Sequence, residues 1–227
     1  MLLGSIYCIF FSVCSLYIFD KYLISHEYDK VRWFLLHFIA NMFVTITSFT
    51  GFISCLKDPV NSMNGTKFPN SNNFLHPASL WPISMINSLH IYHMLFYKLD
   101  SNDLFHHLLF IPTVGFLGQF YSWGPIRSFL SMFISGLPGG KDYLSLYLYK
   151  KNYITKLSQK KYSFLLNIFI RAPFICFNFF LHYLGYIYQI TTIHPIINFF
   201  VAGLGIFNAM YYLKSSTESY INHKKLN

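Results

Sequence analysis

Long apolar runs alternate with short polar connections along this chain. Strong runs cover Leu2–Phe19, Trp33–Leu56, Trp81–Tyr97, Leu104–Ser122, Tyr162–Ile190 and Ile193–Leu213, and a weaker one covers Ile126–Leu137. A helix needs roughly 20 apolar residues to cross a hydrocarbon core of about 30 Å, and the strong runs are close to that length. Stretches such as Phe34–Ile53 and Phe164–Tyr186 lack the two-residue alternation of lipid-facing strands, which excludes a β-barrel. The pattern predicts an all-α fold, a polytopic transmembrane helical bundle of six or seven spans. The weak fifth run decides between the two numbers: it is short for a span, ends in Gly136-Leu-Pro-Gly-Gly140, and reads either as a crossing or as a re-entrant segment. After it, Lys141–Lys161 places Leu144, Leu148, Ile154 and Leu157 at the spacing of an interfacial helix.

Composition agrees with the pattern. Hydrophobic residues make up 54% of the chain and charged ones only 11%, where a soluble domain carries roughly a quarter. The formal charge of +9 is spread over the connections rather than gathered on one face, so it sets topology and predicts no nucleic-acid partner. With seven spans, one side collects thirteen Lys and Arg residues and the other three, which makes the first side cytosolic and the N-terminus lumenal. Lys21, Lys30 and Arg32 follow the first run and none precedes it, so the run is expected to be retained as a span rather than cleaved. The connection from Lys57 to Leu80 holds the single glycosylation sequon, Asn64-Gly65-Thr66, on the lumenal side. Cys8, Cys14, Cys55 and Cys176 all fall inside runs, with neither metal-ligand nor disulfide spacing.

Polar residues inside the runs fall into stripes. On a helix Asn167, Arg171, Asn178, His182 and Gln189 share one face of the sixth run, and that face cannot point at lipid. His37, Asn41, Thr45 and Ser48 line one side of the second run; His194, Asn198 and Asn208 mark the seventh; Asn87, His90, His93 and Tyr97 mark the third. Asn, Ser and Thr at such positions also serve simply to join helices by hydrogen bonds. Arg171 requires an acceptor or water, with Asp103 and Asp142 as candidate partners, and Pro173 should kink its helix.

Chemistry concentrates at residues 90–107, HIYHMLFYKLDSNDLFHH, where two runs meet at a short polar break. At 1.5 Å per residue, His90, His93 and Arg171 lie about 7–12 Å from the cytosolic ends of their spans, near the depth of His106 and His107. Asp103 precedes the histidine pair by three and four residues, so its carboxylate can orient an imidazole and raise its basicity. An imidazole so placed can act as general base for an amine or hydroxyl attacking a thioester, or accept the acyl group itself.

These residues carry a family resemblance. Asp103-x-x-His106-His107 opening a span, then Gly136-Leu-Pro-Gly-Gly-Lys-Asp142-Tyr143, then Arg171 in the next long span, resembles the TLC-domain family, to which ceramide synthases belong. The likeness covers roughly residues 30–213. It implies a TLC-like bundle over 33–213, an N-terminal span with its cytosolic connection over 1–32, and a polar cytosolic tail over 214–227. It also implies residence in the endoplasmic reticulum and a role in lipid metabolism, with membrane lipids as partners. In the synthases the paired histidines serve acyl transfer from acyl-CoA, which maps catalysis to His106 and His107 with Asp103. His90, His93, Arg171, Asn167 and Asp142 would then line the binding cavity. Acyl-CoA enters as substrate, and no resident cofactor or metal is expected. Synthases carry further aspartates beyond the double histidine, whereas only Asp142 and Glu218 remain here. In this respect the chain is more similar to the shorter family members that influence membrane lipid composition, and a non-enzymatic regulator or scaffold is the alternative function. A rival reading makes His90-x-x-His93 and His106-His107 ligands of an oxidase iron, since imidazole suits iron. Such centres use about eight histidines in HxxxH and HxxHH boxes, and Asp103 stands where the second box requires histidine.

Overall fold

The computed structural model describes residues 2–26, 28 and 30–225, apart from the side chains of Leu2, Asn102 and Asp103. Among them seven helices follow in order: α1 (Leu2–Ser25), α2 (Arg32–Lys57), α3 (Trp81–Phe96), α4 (101–120), α5 (126–150), α6 (Lys156–Ile187) and α7 (Pro195–Lys225). No strand forms among the described residues beyond one isolated bridge between Ser71 and Ser79. Four of the helices, α1, α2, α6 and α7, are long and apolar enough to cross a membrane. The chain is a helical membrane protein.

Connections gather at two ends of the bundle. At one end Asn70 donates to the Tyr121 carbonyl at 3.3 Å and Ser122 donates to the Gly65 carbonyl at 3.1 Å, joining 58–80 to 121–125. Met63 packs so closely on Gly185 that an added Cβ would meet its sulfur at 2.7 Å, which brings the end of α6 to the same place. At the other end the Lys151 ammonium lies 5.2 Å from the Tyr28 ring, and the Arg32 guanidinium 4.9 Å from the Tyr97 ring. Successive helices therefore run between opposite ends, and the weak fifth run does so as well.

The stretch read as an interfacial helix over Lys141–Lys161 is divided differently. Residues up to Lys150 complete α5, Asn152 turns the chain with φ 62°, and α6 starts at Lys156 with the Thr155 hydroxyl accepting from the Ser158 N–H. Gly136-Leu-Pro-Gly-Gly140 does not end a segment. An added Cβ on Gly139 would lie 3.0 Å from Asn41 Nδ2 and one on Gly140 2.7 Å from Met42 Cε, so these glycines let α5 settle against α2. The segment read as a polar tail continues α7 to Lys225, with Lys214 and Glu218 one turn apart at 3.9 Å.

Three helices widen locally into π-turns, at Ile111–Gly115, Met132–Gly136 and Asn167–Arg171. Each contains or precedes a proline: Pro112, Pro138 or Pro173. Proline offers no N–H and its ring crowds the carbonyl one turn back, and a wider turn accommodates both. The kink expected at Pro173 takes this form.

Loop 58–80 is ordered by its own polar groups. Asp58 accepts from the Asn61 side chain at 2.9 Å and faces Lys67 at 3.4 Å; burial works to raise its carboxyl, but the Asn61 and Lys67 donors prevail and hold it below the ordinary carboxylate value.

Candidate functional site

His90 and His93 sit one turn apart near the end of α3, and a connection of four residues brings His106 and His107 in the first turns of α4 back against them. The His90 ring centroid lies 5.1 Å from that of His106 and 4.9 Å from that of His107. His107 Nε2 is 2.9 Å from His93 Nδ1, a hydrogen bond in which one ring donates and the other accepts. The helix spacing thus does what the sequence suggested and gathers four imidazoles. A fifth, His37 of α2, has its ring 6.2 Å from His93. Trp33 packs 3.8 Å from both His37 and His93 and fixes their planes, while Tyr143 of α5 stacks on His37 at 4.0 Å.

Arg171 reaches the same place from the π-turn of α6. It donates to Asn167 Oδ1 at 2.7 Å, and its guanidinium lies 4.4 Å from the Tyr212 ring of α7, which in turn is 6.4 Å from His106. Asn167, rather than an acid, is its closest hydrogen-bond partner, and the tyrosine face supplies further cation stabilisation. Asp142 faces the same cavity. The side chain of Asp103 lies outside the described residues, so its orienting role has no geometry here.

Two adjoining cavities fill the middle of this cluster. One, of about 190 Å³, is lined by His37, Asn87, His90, His106, Asp142, Arg171 and Asn208 together with apolar Ile83, Ile86, Val114 and Leu130. All three π-turns contribute to its wall through Val114 and Gly115, Ile134 and Ser135, and Arg171. The other, of about 230 Å³, has His90, His93, His106 and His107 on one side and Phe105, Phe207 and Tyr211 on the other. Those last three are exposed on the outside of the bundle, so this cavity opens at the outer surface between α4 and α7. Buried polar atoms without a protein partner concentrate along the first cavity: His37 Nε2, Asn87 Oδ1, Asp142 Oδ1, Arg171 Nε and Asn208 Oδ1. Buried polar groups are satisfied in nearly every native protein, and these atoms give the chamber the polar lining that suits water or a polar ligand.

Of the residues expected to share one site, His90, His106, Asp142 and Arg171 line the first cavity and His93 and His107 join His90 and His106 at the second, whereas Asn167 lines neither and reaches the site only by holding Arg171. The stripe of α6 is buried as expected at Asn167, Arg171, Asn178 and His182, whereas Gln189 lies beyond the helix, exposed, at φ 53°. His182 pairs with Asn198 of α7 at 2.6 Å, a join between helices. His37 was legible only as part of a stripe; Trp33, Tyr143 and Tyr212 carried no signal apart from their place beside polar positions. Asp20, at the end of the first run, was passed over. It is buried and accepts from Tyr92 at 2.9 Å, Tyr97 at 2.8 Å and Arg32 at 3.4 Å.

No protein-family model, curated protein or solved structure matches the chain.

Proposed function

We propose that this chain is an integral membrane protein of lipid metabolism, with seven crossings and the histidine-lined end of the bundle at the cytosolic face of the endoplasmic reticulum. The reaction we assign to it is transfer of an acyl group from acyl-CoA to an amine or hydroxyl of a membrane lipid, as the TLC-domain resemblance implies. One observation carries this reading: imidazoles and a guanidinium meet at a polar chamber whose neighbouring cavity opens at the outer surface of the bundle. The lateral opening between α4 and α7 suits an acyl chain lying along Phe105, Phe207 and Tyr211. His106, half-buried at the boundary of both cavities, is placed to take the proton of the attacking nucleophile as the thiolate of CoA departs. His107 is held by His93, and Arg171 provides fixed positive charge for the carbonyl oxygen. Lys150, Lys151, Lys156, Lys160 and Lys161 surround the same end and suit the phosphates of CoA. Topology rests on the thirteen-to-three charge division and on the alternation of bundle ends.

Removing both imidazoles at the reacting end tests this. Cells expressing the His106→Ala/His107→Ala chain should lose the chain-dependent change in N-acylated or O-acylated lipids, since general acid–base groups contribute about 10²–10⁴-fold. Lipid profiling at matched expression reads the result. A profile equal to that of the unaltered chain would remove the acyl-transfer reading and leave a regulator or scaffold.

A further inference from the structure

We propose that His90, His106 and His107 form a binding site for one divalent transition-metal ion, best suited to zinc. The ligand nitrogens these three residues offer all lie within 4.8 Å of one another. In a tetrahedral zinc site with Zn–N of about 2.0–2.1 Å the nitrogens stand about 3.4 Å apart, a distance that side chains already within 4.8 Å of one another reach by an approach of about 1.4 Å at most. The rings meet edge to face or tilted, at 85° for His90 and His106, 49° for His90 and His107 and 61° for His106 and His107. None of the pairs stacks, and the nitrogen-bearing edges can turn to one point.

Two further observations point to an ion. His107 meets His93 through Nε2, so it would bind through Nδ1, with His93 as the outer partner that fixes a ligating imidazole. Trp33, against His93, locks that outer partner in turn. Beyond the three histidines the chamber has room, and Asn87 Oδ1, Asn208 Oδ1 and His37 Nε2 are buried there without protein partners. Those atoms would accept the O–H of a water or lipid hydroxyl occupying the fourth position on the ion. Three protein ligands with an open position is the arrangement of zinc sites that perform chemistry; structural sites close with four. Imidazole nitrogen favours zinc over magnesium and calcium, which prefer oxygen.

The inference rests on the same cavity as the acyl-transfer reading but not on that reaction. Were the ion bound, His90, His106 and His107 would hold it and it would supply Lewis-acid chemistry; the general-base role given to His106 above belongs to the metal-free site.

The test uses the full chain purified in detergent, stripped with a chelator and titrated with zinc chloride. One zinc should bind per chain. His90→Ala and His107→Ala should abolish stoichiometric binding at micromolar zinc, and His93→Ala should weaken it about 10–100-fold. His26→Ala and His194→Ala, at exposed positions, should bind as the unaltered chain does. X-ray absorption of the zinc-loaded unaltered chain should show three imidazoles, and it decides the matter if a variant does not fold. No binding, binding unchanged in His90→Ala, or fewer than two imidazoles at the zinc would each overturn the proposal. Zinc binding with an unchanged lipid profile in the double-histidine variant would sink acyl transfer and leave the metal site standing; the converse result would sink only the metal site.

Discussion

Arg127→Met should destabilise the purified chain by about 3–5 kcal/mol, a larger loss than that of any surface charge. Arg127 opens α5 with only 4% of its surface exposed. It donates to the Ala78 carbonyl at 2.7 Å, Asn70 Oδ1 at 2.8 Å, the Ser79 carbonyl at 3.2 Å and the Gly118 carbonyl at 3.3 Å. These acceptors belong to the loop before α3 and to the end of α4, so one guanidinium holds the start of α3, the end of α4 and the start of α5 in register. Methionine fills the volume but withdraws the guanidinium from all four acceptors; the Ala78 carbonyl keeps the Ser71 N–H at 3.2 Å, and each acceptor left without a donor or water costs about 1–3 kcal/mol. Thermal unfolding in detergent measures the effect. Arg127→Lys keeps the charge, loses the planar fork, and should fall between the two.

The second large effect is expected at Asp20. Its two oxygens take the Tyr92 and Tyr97 hydroxyls and the Arg32 guanidinium, tying α1 to α3 and to the start of α2. Asp20→Ala withdraws the acceptor from the Tyr92 and Tyr97 hydroxyls, and at about 1.5–3 kcal/mol for a hydrogen bond to a charged group should cost about 3–5 kcal/mol in total. Asp20→Asn keeps the shape but turns one acceptor into a donor, and should cost about half as much. The loss should extend to the site. Tyr97 packs 4.5 Å from Trp33, and Trp33 packs on His37 and His93. Under the acyl-transfer proposal, lipid profiling of Asp20→Asn should therefore show a smaller chain-dependent change even where the variant remains folded, whereas Arg32→Gln, at the rim, should alter it less.

How far the sequence leads is clear from particular residues. The strong apolar runs became helices because length and hydropathy alone decide whether a segment suits a bilayer. His90, His93, His106 and His107 converged because their spacing on two helices joined by a four-residue connection leaves little freedom. Gly136-Leu-Pro-Gly-Gly140 misled because Gly and Pro end helices in water; inside a membrane bundle neighbouring helices support the backbone, and small residues mark close contact instead. Lys141–Lys161 misled for a related reason, since its charges belong to the facing ends of two helices and the turn between them. Arg127 gives no sign of its role in the sequence because nothing in its neighbourhood reveals acceptors some fifty residues earlier. Trp33, Tyr143 and Tyr212 are common aromatic residues in a chain that is 21% aromatic, and only packing selects them.

Central to the account is an acyl chain that enters between α4 and α7 and reaches the imidazoles. Photo-crosslinking with a fatty acyl lipid carrying a diazirine at its chain end, in nanodiscs, tests this most directly. Ile86, Val114 and Leu130 line the inner chamber and are each less than 8% exposed, so bilayer lipid outside the bundle does not touch them. Labels on these residues, lost when bulk is added at the opening by Phe207→Trp, are the predicted result. Labels confined to outward-facing residues such as Phe10 and Ile18 would contradict it.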